Sequence, residues 1–358
     1  MMTSLDSADY LVLDGSRGSG SGTIVRTAVA LAGLTGRKIR VENVRAAREN
    51  PGLRPQHLGA VTAVARQTSA RLQGAAVGSR AFAFDPSGRI QGGEYSFDLG
   101  AGSATLVAYT VLPVAAFADR PSRFTLRGST FQDFAPSVYH LQQVLLPLLA
   151  RMGLRATVEV LRPGYVPTGG GLIVLQVWPL TGPLQPLCLT DPGRVTRVWG
   201  IAVSSHLEHR RVSDRMAARC RERLRAAGLT AAIKVIYDRS ALQAGAGLAV
   251  FAETDTGCLF GADRSGEQRR SSEAIGDFVA ETLLADLRSG ATVDRYLADQ
   301  LVMFAALAAG RTEYRVPLVT DHLETACWLV EEILGARARI DGRTVQIHGV
   351  GFRRPPDS

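Results

Sequence analysis

The chain has 358 residues, of which 46% are hydrophobic and 21% charged, and its formal charge is +8. That length exceeds one small core and suits two domains of a soluble globular protein. Lys38 and Lys234 are the only lysines, so the positive charge is almost all arginine. Either it serves anionic partners such as nucleic acid or nucleotide, through bidentate phosphate contacts, or it reflects a GC-rich genome.

Cys188, Cys220, Cys258 and Cys327 are scattered, with no Cys-x-x-Cys spacing. They point to neither a zinc site nor a disulfide framework and fit a reducing cytoplasm. The first residues lack the charged-then-apolar pattern of a signal peptide. The most apolar stretch, Ala104–Ala118, is too short to cross a bilayer and reads as a buried helix.

Tyr10–Asp14 reads as a short strand, Gly15–Gly22 as a glycine-rich turn and Thr23–Leu34 as a helix. Such a turn can present N–H groups to phosphate. It lacks the Gly-Lys-Ser/Thr ending of a P-loop and the spacing of a dinucleotide fingerprint, so alone it reads more readily as a tight turn. A strand over Ile39–Val44 precedes Arg45-Ala-Ala-Arg48-Glu-Asn-Pro-Gly-Leu-Arg54-Pro-Gln-His57. Pro55 fits the first position of a helix reaching about Leu72, which puts Gln56 and His57 in its first turn. Three arginines, a Gln and a His around a helix N-terminus favour an anion pocket over a solvated basic loop, because the cluster is dense and Pro51-Gly52 fixes the turn.

Strands at Ala81–Phe84 and Glu94–Asp98 lead to Gly100–Thr105, a second glycine-rich helix start. A strand at Arg123–Arg127, a loop over Gly128–Pro136 and a helix over Val138–Met152 follow. Strands Ala156–Leu161 and Leu172–Trp178 are joined through Gly164-Tyr-Val-Pro-Thr-Gly-Gly-Gly171. The triple glycine demands unusual backbone angles or a close approach, or it is a plain hairpin turn. From about residue 185 the composition changes. Strand Val195–Ser204, helix Val212–Ala227, strands Ala231–Tyr237, Gly247–Glu253 and Cys258–Ala262, and helix Ser272–Ser289 read as a compact unit. Its Arg-rich loops, His206–Arg211 and Arg264–Arg270, are expected to face solvent. The helix–strand pattern recurs early, around 101–180 and from 294 onward, which predicts an α+β fold of repeated units with helices on one face of each sheet.

The C-terminal stretch predicts two helices, Asp294–Gly310 and Asp321–Gly335, with a strand between. In the second, Leu323, Cys327, Val330 and Leu334 form the core stripe, Asp321 and Glu324 a capping pair, and Gly335 the stop. His322 then sits in the first turn. A helix N-terminus disfavours an imidazolium, so this His stays neutral, as a nucleophile must, and the same helix end favours phosphate. In the first helix, Tyr296, Asp299, Gln300 and Met303 share one face, on which an aromatic, a carboxylate and an amide can hold a base and its ribose. Plain alternatives stand beside both: a first-turn His is often a cap, and a Tyr/Asp/Gln stripe is often a solvated face.

Leu13-Asp-Gly, Gly-Ser-Gly-Thr-Ile-Val-Arg26, Arg45-Ala-Ala-Arg48, Pro51–Leu58, Gly164–Gly171, Tyr296-Leu-Ala-Asp-Gln-Leu301 and Asp321-His-Leu together resemble the RNA 3′-terminal phosphate cyclase family. The resemblance implies an α+β fold of three repeats, each a four-stranded sheet with two helices. A smaller α/β domain, similar to the C-terminal domain of translation initiation factor 3, is inserted before the third. Residues 1–184 and 286–358 would form the large catalytic domain and 185–285 the insert. It further implies conversion of an RNA 3′-phosphate to a 2′,3′-cyclic phosphate with ATP and a divalent cation, Mg or Mn, in the cytoplasm, with no membrane partner and a homodimer left open. His322 matches the nucleophile that takes AMP. Tyr296 and Pro136 would sandwich adenine, Asp299 and Gln300 would lie beside the nucleotide, and Arg26, Arg45, Arg48, Gln56 and His57 would handle phosphate or RNA. Two positions depart from the family pattern. Ser19 stands where a Glu associated with the metal is usual, so the metal ligands stay open, and Thr23 stands where a Gln is common. Two other readings remain: a non-catalytic cyclase-like factor of RNA processing or ribosome assembly, mildly favoured by Ser19, and a small-molecule transferase of similar repeats, such as an enolpyruvyl transferase, in which His322 has no evident role.

Overall fold

The computed structural model describes residues 9–133 and 135–353. The first elements are β1 (Leu11–Asp14), α1 (Gly22–Thr35), β2 (Ile39–Glu42), α2 (Pro55–Thr68), β3 (Arg71–Gln73) and β4 (Phe82–Asp85). Next come β5 (Gly93–Ser103), α3 (Ala104–Ala116) and β6 (Ser122–Ser129). A continuous helical stretch follows: α4 (Val138–His140), a π turn (Leu141–Leu145) and α5 (Leu146–Arg151). Then come β7 (Ala156–Arg162), β8 (Gly171–Val177) and β9 (Cys188–Leu189). β10 (Val195–Ser205), α6 (Val212–Ala226), β11 (Ala231–Asp238), β12 (Gly245–Thr254), β13 (Leu259–Ser265) and α7 (Ser272–Arg288) precede α8 (Leu297–Leu307), β14 (Ala309–Arg315), α9 (Asp321–Leu329), β15 (Arg337–Asp341) and β16 (Thr344–Val350).

These strands make four mixed four-stranded sheets, an α+β fold. Three share one order and sense: β1-β2-β4-β3, β5-β6-β8-β7 and β9-β14-β16-β15, the first pair parallel and the others antiparallel. The fourth, β11-β10-β12-β13, also has one parallel pair, β10 with β11. β9 lies within the stretch expected to belong to the insert, yet Cys188 and Leu189 pair with Glu313 and Tyr314 of β14. α7 likewise continues to Arg288, past the expected boundary at 285.

α3 is buried along its whole length, as its unbroken apolar sequence requires, and α1, α2 and α3 pack on one another. α9 joins them by packing on both α1 and α8, which carries the C-terminal sheet's helices to the start of the chain. Several local expectations are corrected. α2 stops at Thr68 rather than near Leu72, because Ser69 takes a left-handed conformation (φ 48°) and the chain turns into β3. β5 runs on through Gly100–Ser103, so the second glycine-rich segment is strand, and Ser103 caps α3 through Leu106 N–H. The cap of α9 is Thr320, whose Oγ1 accepts from Leu323 N at 3.2 Å, and Asp321 is the first helical residue. The helix then widens into a π turn at Val330–Leu334. The extra residue of that turn rotates the face, so Ile333 rather than Leu334 completes the buried stripe with Leu323, Cys327 and Val330.

Candidate active site

The glycine-rich loop after β1 is docked on α9. Ser19 N donates to Thr325 Oγ1 at 3.0 Å, Thr325 Oγ1 donates to Asp321 O at 2.5 Å, and the Arg17 guanidinium lies 4.2 Å over the Trp328 ring. Gly18 has φ 53°, and a Cβ there would stand 2.5 Å from Thr325 Oγ1. Both the backbone angle and the close approach therefore require glycine.

This docking brings the N-termini of α1 and α9 together. His322 Nδ1 lies 3.0 Å from Thr23 Oγ1 and 3.3 Å from Ser21 Oγ. With Nδ1–H donated to Thr23, the lone pair resides on Nε2, the tautomer a nucleophile needs. Burial lowers the His322 pKa first, Arg26 and Arg48 add to that, and Asp321 only partly opposes it. Of the residues that fix His322, the sequence marked Thr23 only as a departure from the family pattern and Ser21 not at all, since a hydroxyl near a glycine-rich turn carries no signal of its partner.

Arg26, one turn into α1, donates from Nη2 to Thr23 Oγ1 at 3.4 Å, while its Nε is buried with no partner. Burial lowers its pKa, with Tyr109 and Asp299 opposing. His57 is 3% exposed, and its Nδ1 accepts from Arg54 N at 3.1 Å, which leaves the proton on Nε2. Burial and then Arg26, Arg45 and Arg54 push its pKa down to about 2, so it stays neutral, with a proton on Nε2 and no charge. Its Nε2 meets the start of α1, where a Cβ on Gly22 would collide with it and stand 2.7 Å from Arg26 Nη1.

The rest of the expected phosphate set is engaged locally. Arg45 Nη1 donates to Asn50 O at 2.6 Å and Gly52 O at 3.1 Å, so it builds the loop it sits on. Arg48 is exposed and donates to Ser19 O at 3.0 Å. Gln56 Oε1 accepts from Ser103 N at 3.0 Å, tying α2 to the start of α3.

On α8 the Asp/Gln face is largely withdrawn from solvent, with Gln300 buried and Asp299 half-buried. Gln300 is 7% exposed, its carbonyl accepts from Tyr109 Oη at 3.1 Å, and its Oε1 has no partner. Burial raises the Asp299 carboxyl to about 7, with Arg26 holding it back. Met303 is core. Tyr296 sits just ahead of the helix, edge-on to His140 at 5.5 Å. A buried group missed by the sequence reading holds this region. Asp294 Oδ1 accepts from Tyr296 N and Leu297 N at 2.8 and 2.9 Å, and its Oδ2 takes Gly261 N and His140 Nε2 at 2.8 and 2.9 Å. Asp263 Oδ2 accepts from Ser137 N, directly after Pro136, at 2.7 Å. β13 thus braces the segments that carry both Tyr296 and Pro136. His140 and Asp263 stand alone in the sequence, and only the packing of β13 against α4 and its π turn brings them together.

A neutral imidazole between two helix N-termini, beside a half-buried arginine whose buried Nε has no partner, is chemistry for group transfer at phosphorus. A model of the family described as RNA 3′-terminal phosphate cyclase matches residues 17–340. The RNA 3′-terminal phosphate cyclase of Methylococcus capsulatus is 40% identical over 95% of this chain and 96% of its own length. That of Trichormus variabilis is 40% identical over 89% and 93%, and that of Pyrobaculum neutrophilum 35% identical over 95% and 99%. The chain belongs to the RNA 3′-terminal phosphate cyclase family. Among the described residues no helix is long and apolar enough to cross a membrane.

Proposed function

We propose that this protein converts an RNA 3′-terminal phosphate to a 2′,3′-cyclic phosphate with ATP. His322 Nε2 attacks the α-phosphorus, an N–P bond forms, and pyrophosphate leaves with the electrons of the broken P–O bond. An oxygen of the RNA 3′-phosphate then attacks that phosphorus and releases His322. The neighbouring 2′-hydroxyl attacks the activated 3′-phosphorus, losing its proton, and AMP departs. Positioning suffices for the last step because it is intramolecular. The observation that carries this reading is the hold of Thr23 on His322 Nδ1 at 3.0 Å, with the imidazole pKa lowered. The test uses RNA carrying a labelled 3′-phosphate: with ATP the label should become resistant to phosphatase, and a label that stays phosphatase-sensitive sinks the proposal.

In this reading Arg26 and His57 bind phosphate directly, Arg48 reaches it beside Ser19, and Arg45 and Gln56 shape the walls. The common order of three sheets supports three copies of one βαβαββ unit, the third interrupted after β9 by an inserted unit of about β10 to α7. Tyr296 and Pro136 form the adenine slot, with Asp299 and Gln300 beside the nucleotide. Tyr296→Ala should raise the ATP concentration for half-maximal labelling of His322 about tenfold, since base stacking on an aromatic contributes ~1–3 kcal/mol. An unchanged ATP dependence would return Tyr296 to a structural role.

A divalent cation would neutralise charge on the leaving pyrophosphate. Among the described residues no group of three His, Cys, Asp or Glu side chains could hold a metal. Asp299 fits a cation whose other ligands are triphosphate oxygens, the usual arrangement for magnesium. Asp14 is spoken for: its Oδ1 takes Ser16 N, Ser16 Oγ and Asn43 Nδ2 at 3.0, 2.7 and 3.2 Å. Ser19 Oγ is 2.9 Å from Ser21 Oγ, on the same side as His322. Ser19→Glu should therefore lower the metal concentration giving half-maximal labelling at fixed ATP, by adding a hard oxygen ligand. Coincident titration curves for the two proteins would show that the first loop is no metal site.

A further inference from the structure

We propose that a cavity of about 540 Å³ between the Gly164–Gly171 loop and the unit of β10 to α7 holds the RNA strand on the 5′ side of its terminal phosphate. This rests on the functional reading above. The cavity is lined by Val166, Leu207, Arg210, Gln243, Arg269 and Ile275 among others.

Arg210 and Arg269 on its wall carry uncompensated charge. Two further wall arginines are neutralised: Arg215 by both carboxylate oxygens of Glu273 at 2.8 Å, and Arg270 by Asp133 at 2.8 Å and Glu267 at 2.6 Å. Arg210 and Arg269 are exposed and have no carboxylate within 4.0 Å among the described residues. Exposed guanidinium pairs over a groove are what a phosphodiester backbone binds.

The loops that present them are held against backbone preference. Six non-glycine residues among those described have positive φ: Asn43, Arg45, Ser69, His206, Arg211 and Arg269. Ser69 ends a helix, and Asn43 and Arg45 belong to the loop beside the phosphate residues. The remaining three lie in the two arginine-rich loops framing this cavity, His206–Arg211 and Arg264–Arg270. Such strain persists where surrounding structure enforces it and clusters at binding sites.

One loop links the cavity to the site. Gln56 Oε1 holds Ser103 N at 3.0 Å, and a Cβ on Gly169 would run into the carbonyl of Gly100, so the glycine loop lies against the end of β5. On its other side the same loop donates to and accepts from Gln243, whose Nε2 bonds Tyr165 O and Val166 O at 3.0 and 2.9 Å. A strand whose 3′ end sits at Arg26 and His57 reaches the cavity by crossing this one loop. Val166 and Leu242, 54% and 56% exposed, give bases an apolar rim without hydrogen-bond readout, so recognition should be sequence-tolerant.

The test is fluorescence-anisotropy binding, without ATP, of a 3′-phosphorylated RNA ten-mer and a 3′-phosphorylated dinucleotide to wild type and to Arg210→Gln/Arg269→Gly. Glycine tolerates the left-handed angle at 269, so the loop is kept. The ten-mer should bind wild type more tightly than the dinucleotide. In the variant it should bind about tenfold more weakly, with a log–log salt slope shallower by about 1.4, some 0.7 per phosphate contact, while dinucleotide binding and His322 labelling by ATP stay unchanged. Unchanged ten-mer binding in the variant, or an equal loss for both lengths, overturns the proposal. Wild type that shows this length-dependent binding but takes no label from ATP would refute the cyclase reading and leave the RNA path standing.

Discussion

His322→Ala takes no label from ATP labelled at the α-phosphate, when the protein is denatured and resolved by electrophoresis, whereas wild type retains an acid-labile label. The loss should be at least ~10⁴-fold, the scale seen when a covalent nucleophile is removed. Thr23→Val provides the graded companion. It removes the 3.0 Å partner of Nδ1 but leaves Ser21 Oγ at 3.3 Å, so labelling should slow by roughly five- to tenfold, about 1–1.5 kcal/mol of hydrogen bond. Because burial and the neighbouring arginines lower the His322 pKa, its neutral form persists below the ordinary imidazole value. An acid limb of the labelling rate near pH 7 is therefore not set by His322. Equal labelling of His322→Ala would move the nucleophile to another residue.

Arg26→Ala should cut the labelling rate ~10²-fold, from loss of a charge-assisted phosphate contact worth about 1.5–3 kcal/mol. It should also move the pH profile. Burial raises Asp299 to about 7, and Arg26 is the largest influence holding it down. A carboxylate that must be ionised makes the rate rise with pH through about 7. Without Arg26 the proton is held more tightly, so this limb moves to higher pH. Asp299→Asn should abolish the limb and lower the plateau. The measurement is the initial rate of His322 labelling from pH 5.5 to 9, with folding of each variant checked by thermal melting. Wild-type rates in Arg26→Ala, or a limb that does not move, would show that Arg26 is a packing residue.

The sequence determined much of the local structure because local signals suffice for it. Pro55 starts α2, Gly335 stops the last helix, the unbroken apolar run of α3 is wholly buried, and the first-turn position of His322 follows from helical spacing. The motif resemblance likewise singled out His322 and Arg26, since both lie in short contiguous patterns. Errors at this level arose where one residue's backbone overrode the pattern: Ser69 in the left-handed region, Thr320 ahead of Asp321 as the cap, and the π turn that exchanged Leu334 for Ile333.

Only the tertiary structure decided which side chains serve which. Thr23 and His322 are 299 positions apart, and their 3.0 Å contact exists because Gly18 lets the first loop close on Thr325. Composition leaves the Tyr296 face open between a base-holding surface and a solvated one, yet Gln300 is buried and Asp299 half-buried, and His140 with Asp294 holds the Tyr296 segment while Asp263 of β13 holds Ser137 beside Pro136. Arg45 and Gln56, which resemble anion ligands in sequence, spend their hydrogen bonds on the protein's own backbone. A side chain's hydrogen-bond partner and its burial depend on what distant segments place beside it. Helical period and residue type encode only which way a side chain faces along its own element.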